Sequence, residues 1–223
     1  MDLYAIIVAG GSGSRMKSHV PKQFIEVQGK PILMHTITAF FEHNPKIIII
    51  LGLPSDQIEY WKQICETYQF TVPHTVVIGG KTRFQTVKNC LSYCSGSGLV
   101  AIHDGVRPFV SSELIHNSYH MAMDKGNAVA AVKLKDSIRV VTNGHTQSID
   151  RSKYYIVQTP QTFRLELIKK AFDTDESPSY TDDATVLERL GENIYIIEGS
   201  YINMKITTPD DLMMAKAIFS QSK

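Results

Sequence analysis

An apolar run, Tyr4-Ala5-Ile6-Ile7-Val8, passes without a break into Ala9-Gly10-Gly11-Ser12-Gly13-Ser14-Arg15-Met16, and no other feature constrains this chain as much. The apolar residues predict a buried β-strand. The small residues at its carboxyl end leave backbone N–H groups free to approach an anion closely. Arg15, and Lys22 within Pro21-Lys22-Gln23, add two positive charges at the same end. The segment reads as a nucleoside triphosphate site; the alternative is a tight glycine turn beside surface cations. Two better-known glycine motifs are excluded. A dinucleotide fingerprint needs a third glycine where Met16 stands, and a P-loop needs a Gly-Lys-Ser/Thr ending that the chain lacks.

The 223 residues suit a single domain, and 43% apolar with 20% charged residues is ordinary for a globular enzyme. Lys plus Arg number 23 against 22 Asp plus Glu, so neither nucleic-acid nor membrane-surface binding is expected and any positive potential must be local. The N-terminus enters a strand directly, without the charged and apolar regions of a signal peptide, and a cytoplasmic location is expected. Cys65, Cys90 and Cys94 form no Cys-x-x-Cys pair and are read as buried helix-face residues rather than disulfide or zinc ligands.

Strands and helices alternate along the first half. Strands are expected at Ile6–Val8, Ile47–Leu51, Val76–Ile78, Leu99–Ile102 and Ala128–Val132. Helices follow from Pro31, from a cap at Ser55, from about Thr82, and from Ser111 or Ser112. Continuously apolar strands separated by helices imply an α/β fold: a Rossmann-like, mostly parallel sheet with helices on both faces. Residues 136–156 break the pattern. They are polar and β-prone around Asn143-Gly144, the strongest short hairpin signal. Strands at Ser137–Val141 and Thr146–Ile149 form a projecting β-arm, expected to pack on a second copy of the chain; a surface hairpin is the alternative. Residues 1–223 are thus read as one domain carrying this arm as a subdomain. Helices near Leu165–Phe172 and Asp182–Leu190, a strand at Ile194–Ile197 and a helix from Pro209 complete the chain.

Ligands bind beyond the carboxyl ends of the strands in open parallel sheets. Polar clusters fall there repeatedly: Gly79 to Arg83, His103 to Pro108, Gln158 to Gln161, Thr181 to Asp183, and Asn203 to Thr207. In order, the segments AGGSGSRM, PKQF, GGKTRFQTV, HDGVRPF, DSIR, IDRS, QTPQTF, TDDA and NMKITTPDDL span residues 9 to 212. Together they resemble the sugar-phosphate cytidylyltransferases, above all the 2-C-methyl-D-erythritol 4-phosphate cytidylyltransferase family.

The resemblance implies cytidylyl transfer from CTP to methylerythritol phosphate with release of pyrophosphate. The ribitol-5-phosphate cytidylyltransferases are the nearest alternative, and a catalytically silent nucleotide-binding homologue a more distant one. It implies catalytic roles for Arg15, Lys22, Lys205 and Arg151. It also implies nucleotide contacts from Ala9, Gly10, Gly11, Gly13, Gly80, Thr86 and Asp104, and acceptor contacts from Asp104, Arg107, Ser137, Arg151 and Thr159. Ser137, Arg151 and Thr159 match a group that the arm carries into a partner subunit's site, which makes the expected assembly a homodimer. A Mg²⁺ cofactor is implied, held mainly through phosphates, with no protein ligand assigned. Two departures stand out: Lys81 replaces an acid after the paired glycines, and Ser137 replaces a threonine. Six residues invite other readings. His103 is expected to be a hydrogen-bonded structural histidine, and Asp182 and Asp183 to be first-turn acids of a helix rather than metal ligands. Trp61, with Met213 and Met214, is expected in core or interface packing.

Overall fold

The computed structural model describes residues 1–11, 16 and 20–221. The core is a seven-stranded sheet built from β1 (Asp2–Val8), β4 (Ile48–Leu53), β5 (Thr75–Ile78), β6 (Gly98–Asp104), β7 (Asn127–Lys133), β10 (Tyr155–Arg164) and β11 (Ile196–Glu198), in the order β11-β7-β10-β6-β1-β4-β5. Two short strands, β2 (Glu26–Val27) and β3 (Lys30–Pro31), form a separate pair before α1 (Ile32–His43). Side chains alternate across β1, so Ala5 and Ile7 face one cluster while Tyr4 and Ile6 face the other. On the first face pack α1, α2 (Ile58–Thr67) and α4 (Ser112–Lys125), with Phe40, Trp61 and Tyr119 buried. On the second pack α3 (Arg83–Leu91), α5 (Leu165–Phe172) and α6 (Asp183–Glu188). Burial on both sides is why these strands read as continuous apolar runs. The expected mostly parallel α/β sheet is therefore present.

One strand runs against the rest. β10 pairs antiparallel with both β6 and β7 and lies between them. By sequence, Gln158 to Gln161 read as a polar cluster at a strand end. In the structure residues 158–163 are buried in the middle of the sheet. Pro160 lacks an N–H for the ladder, and the β10–β7 register shifts between Val157 and Gln161. The shift throws Gln158 and Thr159 out of the ladder toward the carboxyl ends of β6 and β7, where their polar groups find other partners.

Other expectations need smaller corrections. Ser55 begins a single 3-10 turn, Ser55–Gln57, and α2 starts after it without a side-chain cap. Thr82 and Ser111 do cap α3 and α4, accepting from Gln85 N and Leu114 N. Asp182 caps α6 in a reciprocal capping box with Thr185, so α6 begins at Asp183. Trp61 is buried, but Met213 and Met214 on α7 (Pro209–Gln221) are exposed, and Ala215 is the residue that α7 buries. The arm is β8 (Arg139–Thr142) and β9 (His145–Ser148), every residue exposed and paired with no other strand. Asn143 (φ 48°) and Gly144 (φ 81°) supply the two positive φ angles that a tight two-residue hairpin turn requires. Among the described residues no helix is long and apolar enough to cross a membrane.

Candidate active site

A cleft of about 350 Å³ opens where β1, β5 and β6 end. Its floor is backbone. Ala9 N donates to Gly52 O at 3.0 Å, which carries the turn after β1 over the end of β4, and Gly10 and Gly11 follow along the cleft. Gly79 and Gly80 approach from β5. A Cβ at Gly80 would lie 2.2 Å from Gln85 Cβ, so only glycine permits this close packing of the loop on α3. Thr86 locks the arrangement: its hydroxyl accepts from Gly80 N at 3.1 Å and donates to Thr82 O at 2.9 Å. Lys22 lies in a buried 3-10 turn, Lys22–Phe24, with its stem against Gly11, where an added Cβ would meet Lys22 Cε at 3.3 Å. The neighbouring Gln23 holds that turn in place, donating through Nε2 to Ala9 O and to Gln57 Oε1.

A dense charge cluster lines the same cleft. Asp104, at the end of β6, receives Arg83 Nε on Oδ1 at 3.5 Å. Its Oδ2 receives Lys205 Nζ at 3.1 Å and Arg107 Nε at 3.3 Å. Burial alone would raise the Asp104 carboxyl, but Arg83, Lys205 and Arg107 outweigh it and hold the group well below the usual carboxylate range. Arg83 in turn forms a two-pronged bridge to buried Asp183, both contacts at 2.7 Å. Burial would lower the Arg83 pKa; Asp183 and Asp104 more than reverse that, and the guanidinium stays charged.

The loop that carries Lys205 is stitched to the sheet by the polar residues of the β10 bulge. Gln158 donates to Ser200 O at 2.8 Å and accepts from Ser200 N at 3.2 Å. Asn203 Nδ2 donates to Thr159 O at 2.8 Å, and Arg107 donates to Asn203 O at 2.7 Å. Ile206 N donates to Val106 O at 2.9 Å, tying residues on either side of Lys205 to the turn after β6. Asp104 N donates to Thr159 Oγ1 at 3.0 Å. The turn is further braced by His103, which is fully buried and whose Nε2 meets Arg107 O at 3.1 Å. Burial pushes its pKa down to about 4, so the ring is neutral and structural, as the sequence reading expected.

The structure thus brings Ala9, Gly10, Gly11, Lys22, Gly80, Thr86, Asp104 and Lys205 to one cleft. Arg15 and Gly13 lie outside the described residues. Arg107 is buried behind Asp104 and does not line the cleft. Thr159, grouped with the arm by the resemblance, lies instead in the β10 bulge beneath Asp104. Ser137 and Arg151 are exposed on the arm and its base, outside the cleft of their own chain. Arg151 donates to Lys135 O there. Lys81 is exposed, and its backbone N–H donates to Gln85 Oε1. Asp182 is a helix cap and Asp183 an ion-pair partner; neither belongs to a cluster of three or more metal-type ligands among the described residues. Asp183 does lie in the first turn of α6, as expected, but sequence reasoning missed its pairing with Arg83: nothing in a linear reading joins residues 100 positions apart.

Comparison with known proteins gives the family. The profile of the 2-C-methyl-D-erythritol 4-phosphate cytidylyltransferase family matches residues 3–221. The chain belongs to that family. Among curated 2-C-methyl-D-erythritol 4-phosphate cytidylyltransferases, it is 46% identical to the Bacteroides thetaiotaomicron protein over 98% of this chain and 100% of that one. The Phocaeicola vulgatus protein is 44% identical with the same coverage. Among solved structures, the 4-diphosphocytidyl-2C-methyl-D-erythritol synthase of Anaerococcus prevotii superposes with a TM-score of 0.84 at 30% identity, covering 98% of this chain and 96% of that one. The Thermus thermophilus cytidylyltransferase gives 0.79 at 28% identity, covering 98% of each. Family membership makes the chain a cytidylyltransferase, a nucleotidyl-transferring enzyme.

Proposed function

We propose that the protein transfers the cytidylyl group of CTP to 2-C-methyl-D-erythritol 4-phosphate. An oxygen of the acceptor's 4-phosphate attacks the α-phosphorus in line. A new P–O–P link forms, the bond to the β-phosphate breaks, and pyrophosphate leaves. The attacking phosphate is already an anion, so no general base is required, and catalysis reduces to placement and charge neutralisation.

The observation that carries this reading is that two lysines line one cleft. Lys22 lies beside the glycine backbone, and Lys205 is held on Asp104. Gly10, Gly11 and Gly80 give the nucleotide close backbone approach, and the capped N-terminus of α3 faces the same space. We assign Lys22 and Lys205, with Arg15, to the charge developing on the α-phosphoryl oxygens and on pyrophosphate. Asp104, whose Oδ2 holds Lys205, would orient the acceptor, with Arg107 supporting it from behind. Lys81 is exposed at the edge of the same cleft, and we assign it no catalytic role.

The donor set suits a Mg²⁺ held chiefly by phosphates and water. Asp104, the carboxylate lining the cleft, already spends both oxygens on cations. When bound, the ion would neutralise triphosphate charge beside the lysines.

The acceptor side of the site is supplied by a second subunit in this reading. Val140, Val141, Tyr154, Tyr155, Ile156 and Val157 leave a large apolar surface uncovered on the arm and its base. Packing of that surface on a second copy would carry Ser137 and Arg151 to the partner's cleft, where the Arg151 fork suits a phosphate. The use of CTP fits the cytoplasmic location expected from the sequence. Incubation of the purified protein with CTP, Mg²⁺ and either methylerythritol phosphate or ribitol 5-phosphate tests the acceptor. Pyrophosphate release with ribitol 5-phosphate alone would overturn the assignment.

A further inference from the structure

Asp183 does not line the substrate cleft, and its side chain is 1% exposed. Both of its oxygens are taken by Arg83, Nη1 to Oδ1 and Nη2 to Oδ2, each at 2.7 Å. A fork of this kind fixes the plane of a guanidinium as well as its place. With Nη1 and Nη2 engaged, Arg83 turns its Nε edge to Asp104, at the longer distance of 3.5 Å from Oδ1. Asp104 therefore keeps Oδ2 for Lys205 at 3.1 Å and Arg107 at 3.3 Å.

The start of α6 is itself anchored. Gln161 in β10 donates to Asp182 Oδ2 and accepts from Ala184 N, both at 2.9 Å, so the residues on either side of Asp183 are bound to an interior strand of the sheet.

We propose that Asp183 is a positioning residue: by pinning Arg83 it sets the Asp104–Lys205 contact and hence the place of the Lys205 ammonium at the reacting phosphate. The role given to Lys205 rests on the cytidylyl-transfer reading; the pinning of Arg83 does not. Without the Asp183 charge, Arg83 rotates to take both oxygens of Asp104, and Lys205 loses its seat.

Asp183→Asn tests this with little change of shape. Its kcat should fall about tenfold or more, as for a lost preorganised donor, with CTP affinity measured by calorimetry little changed. Lys205→Gln added to Asp183→Asn should lower kcat no further than Lys205→Gln alone, because both act through one ammonium. Asp183→Glu, which restores the charge, should recover much of the loss. Full kcat in folded Asp183→Asn, or losses that multiply with those of Lys205→Gln, would overturn the proposal.

A readout without substrate separates this proposal from the functional reading. Acylation of Lys205 by an amine-directed reagent, followed by peptide mass mapping, should be severalfold faster in Asp183→Asn than in the wild type. An unchanged rate overturns the pinning whatever the acceptor proves to be. A faster rate in a protein whose wild type makes no product from CTP and methylerythritol phosphate would instead sink the functional reading alone. Should Asp183→Asn fail to fold, Asp183→Ser, also neutral and smaller, carries the same measurements with the same expected outcomes.

Discussion

The charge cluster around Asp104 and the arm around Arg151 are both polar, yet they differ in almost every physical respect. In the cluster, Asp104 and Asp183 are buried and the cations Arg83, Arg107 and Lys205 meet them within 3.5 Å. On the arm, both strands are exposed throughout, and Arg151 has a backbone carbonyl for a partner. A buried charge must be paired where it stands, so the cluster is complete within one chain. An exposed charge on a two-stranded hairpin is under no such demand, and such a hairpin needs further support to be stable. One half of the site is therefore preformed, and the other half, in our reading, awaits a partner.

The largest effect should come from the preformed half. Lys22→Ala or Lys205→Ala should lower kcat by about a hundredfold or more, the scale for losing one preorganised donor to a developing anion. Unchanged turnover in either variant would break the assignment of that half.

Next comes the acid stability of the cluster. His103 is buried and neutral, with its pKa lowered from 6.5 to about 4. An unfolded chain binds a proton below pH 6.5 where the fold binds none, so this contribution is full above that pH and is lost as pH falls toward 4. About 3 kcal/mol of unfolding free energy should disappear across that window, measured by denaturant titration. His103→Gln should flatten the dependence; an equal slope in that variant would show that other groups govern it.

The arm makes a third, sharper comparison. Arg151→Ala should lose activity by about tenfold to a hundredfold, and deletion of residues 138–149 should give monomers with little activity. Mixing Arg151→Ala with Lys205→Ala subunits should restore part of the activity, because one cleft of each mixed dimer then receives both side chains. A mixture that stays inactive, or a fully active monomer, would place Arg151 outside a shared site. The smallest effect belongs to Lys81, exposed at the cleft edge: Lys81→Ala should alter the KM for CTP by less than about threefold, the range of a surface charge.

Much of this was legible in the chain itself. The apolar strand that ends in glycines, the helix starts near Thr82 and at Ser111 or Ser112, the limits of α5 and the Asn143-Gly144 turn are local features, and local chemistry decides them. β10 was not legible. Its Gln, Thr and Pro residues look like a loop because their hydrogen bonds go to residues 200 and 203 and to the turn after β6, far away in sequence. Thr159, which the resemblance groups with the arm, belongs to this same bulge.

The sequence by itself determined an α/β sheet with a glycine-lined edge, a projecting hairpin, and which charged residues the chain carries near the strand ends. Only the tertiary structure decided which charges meet. It set β10 antiparallel between β6 and β7, placed Asp183 on Arg83, and divided Asp104 among three cations. Residue pattern reports what a side chain can do over a few positions. Burial across many positions decides which partner it must take, because an unpaired charge in the interior costs more than a fold of this size can bear.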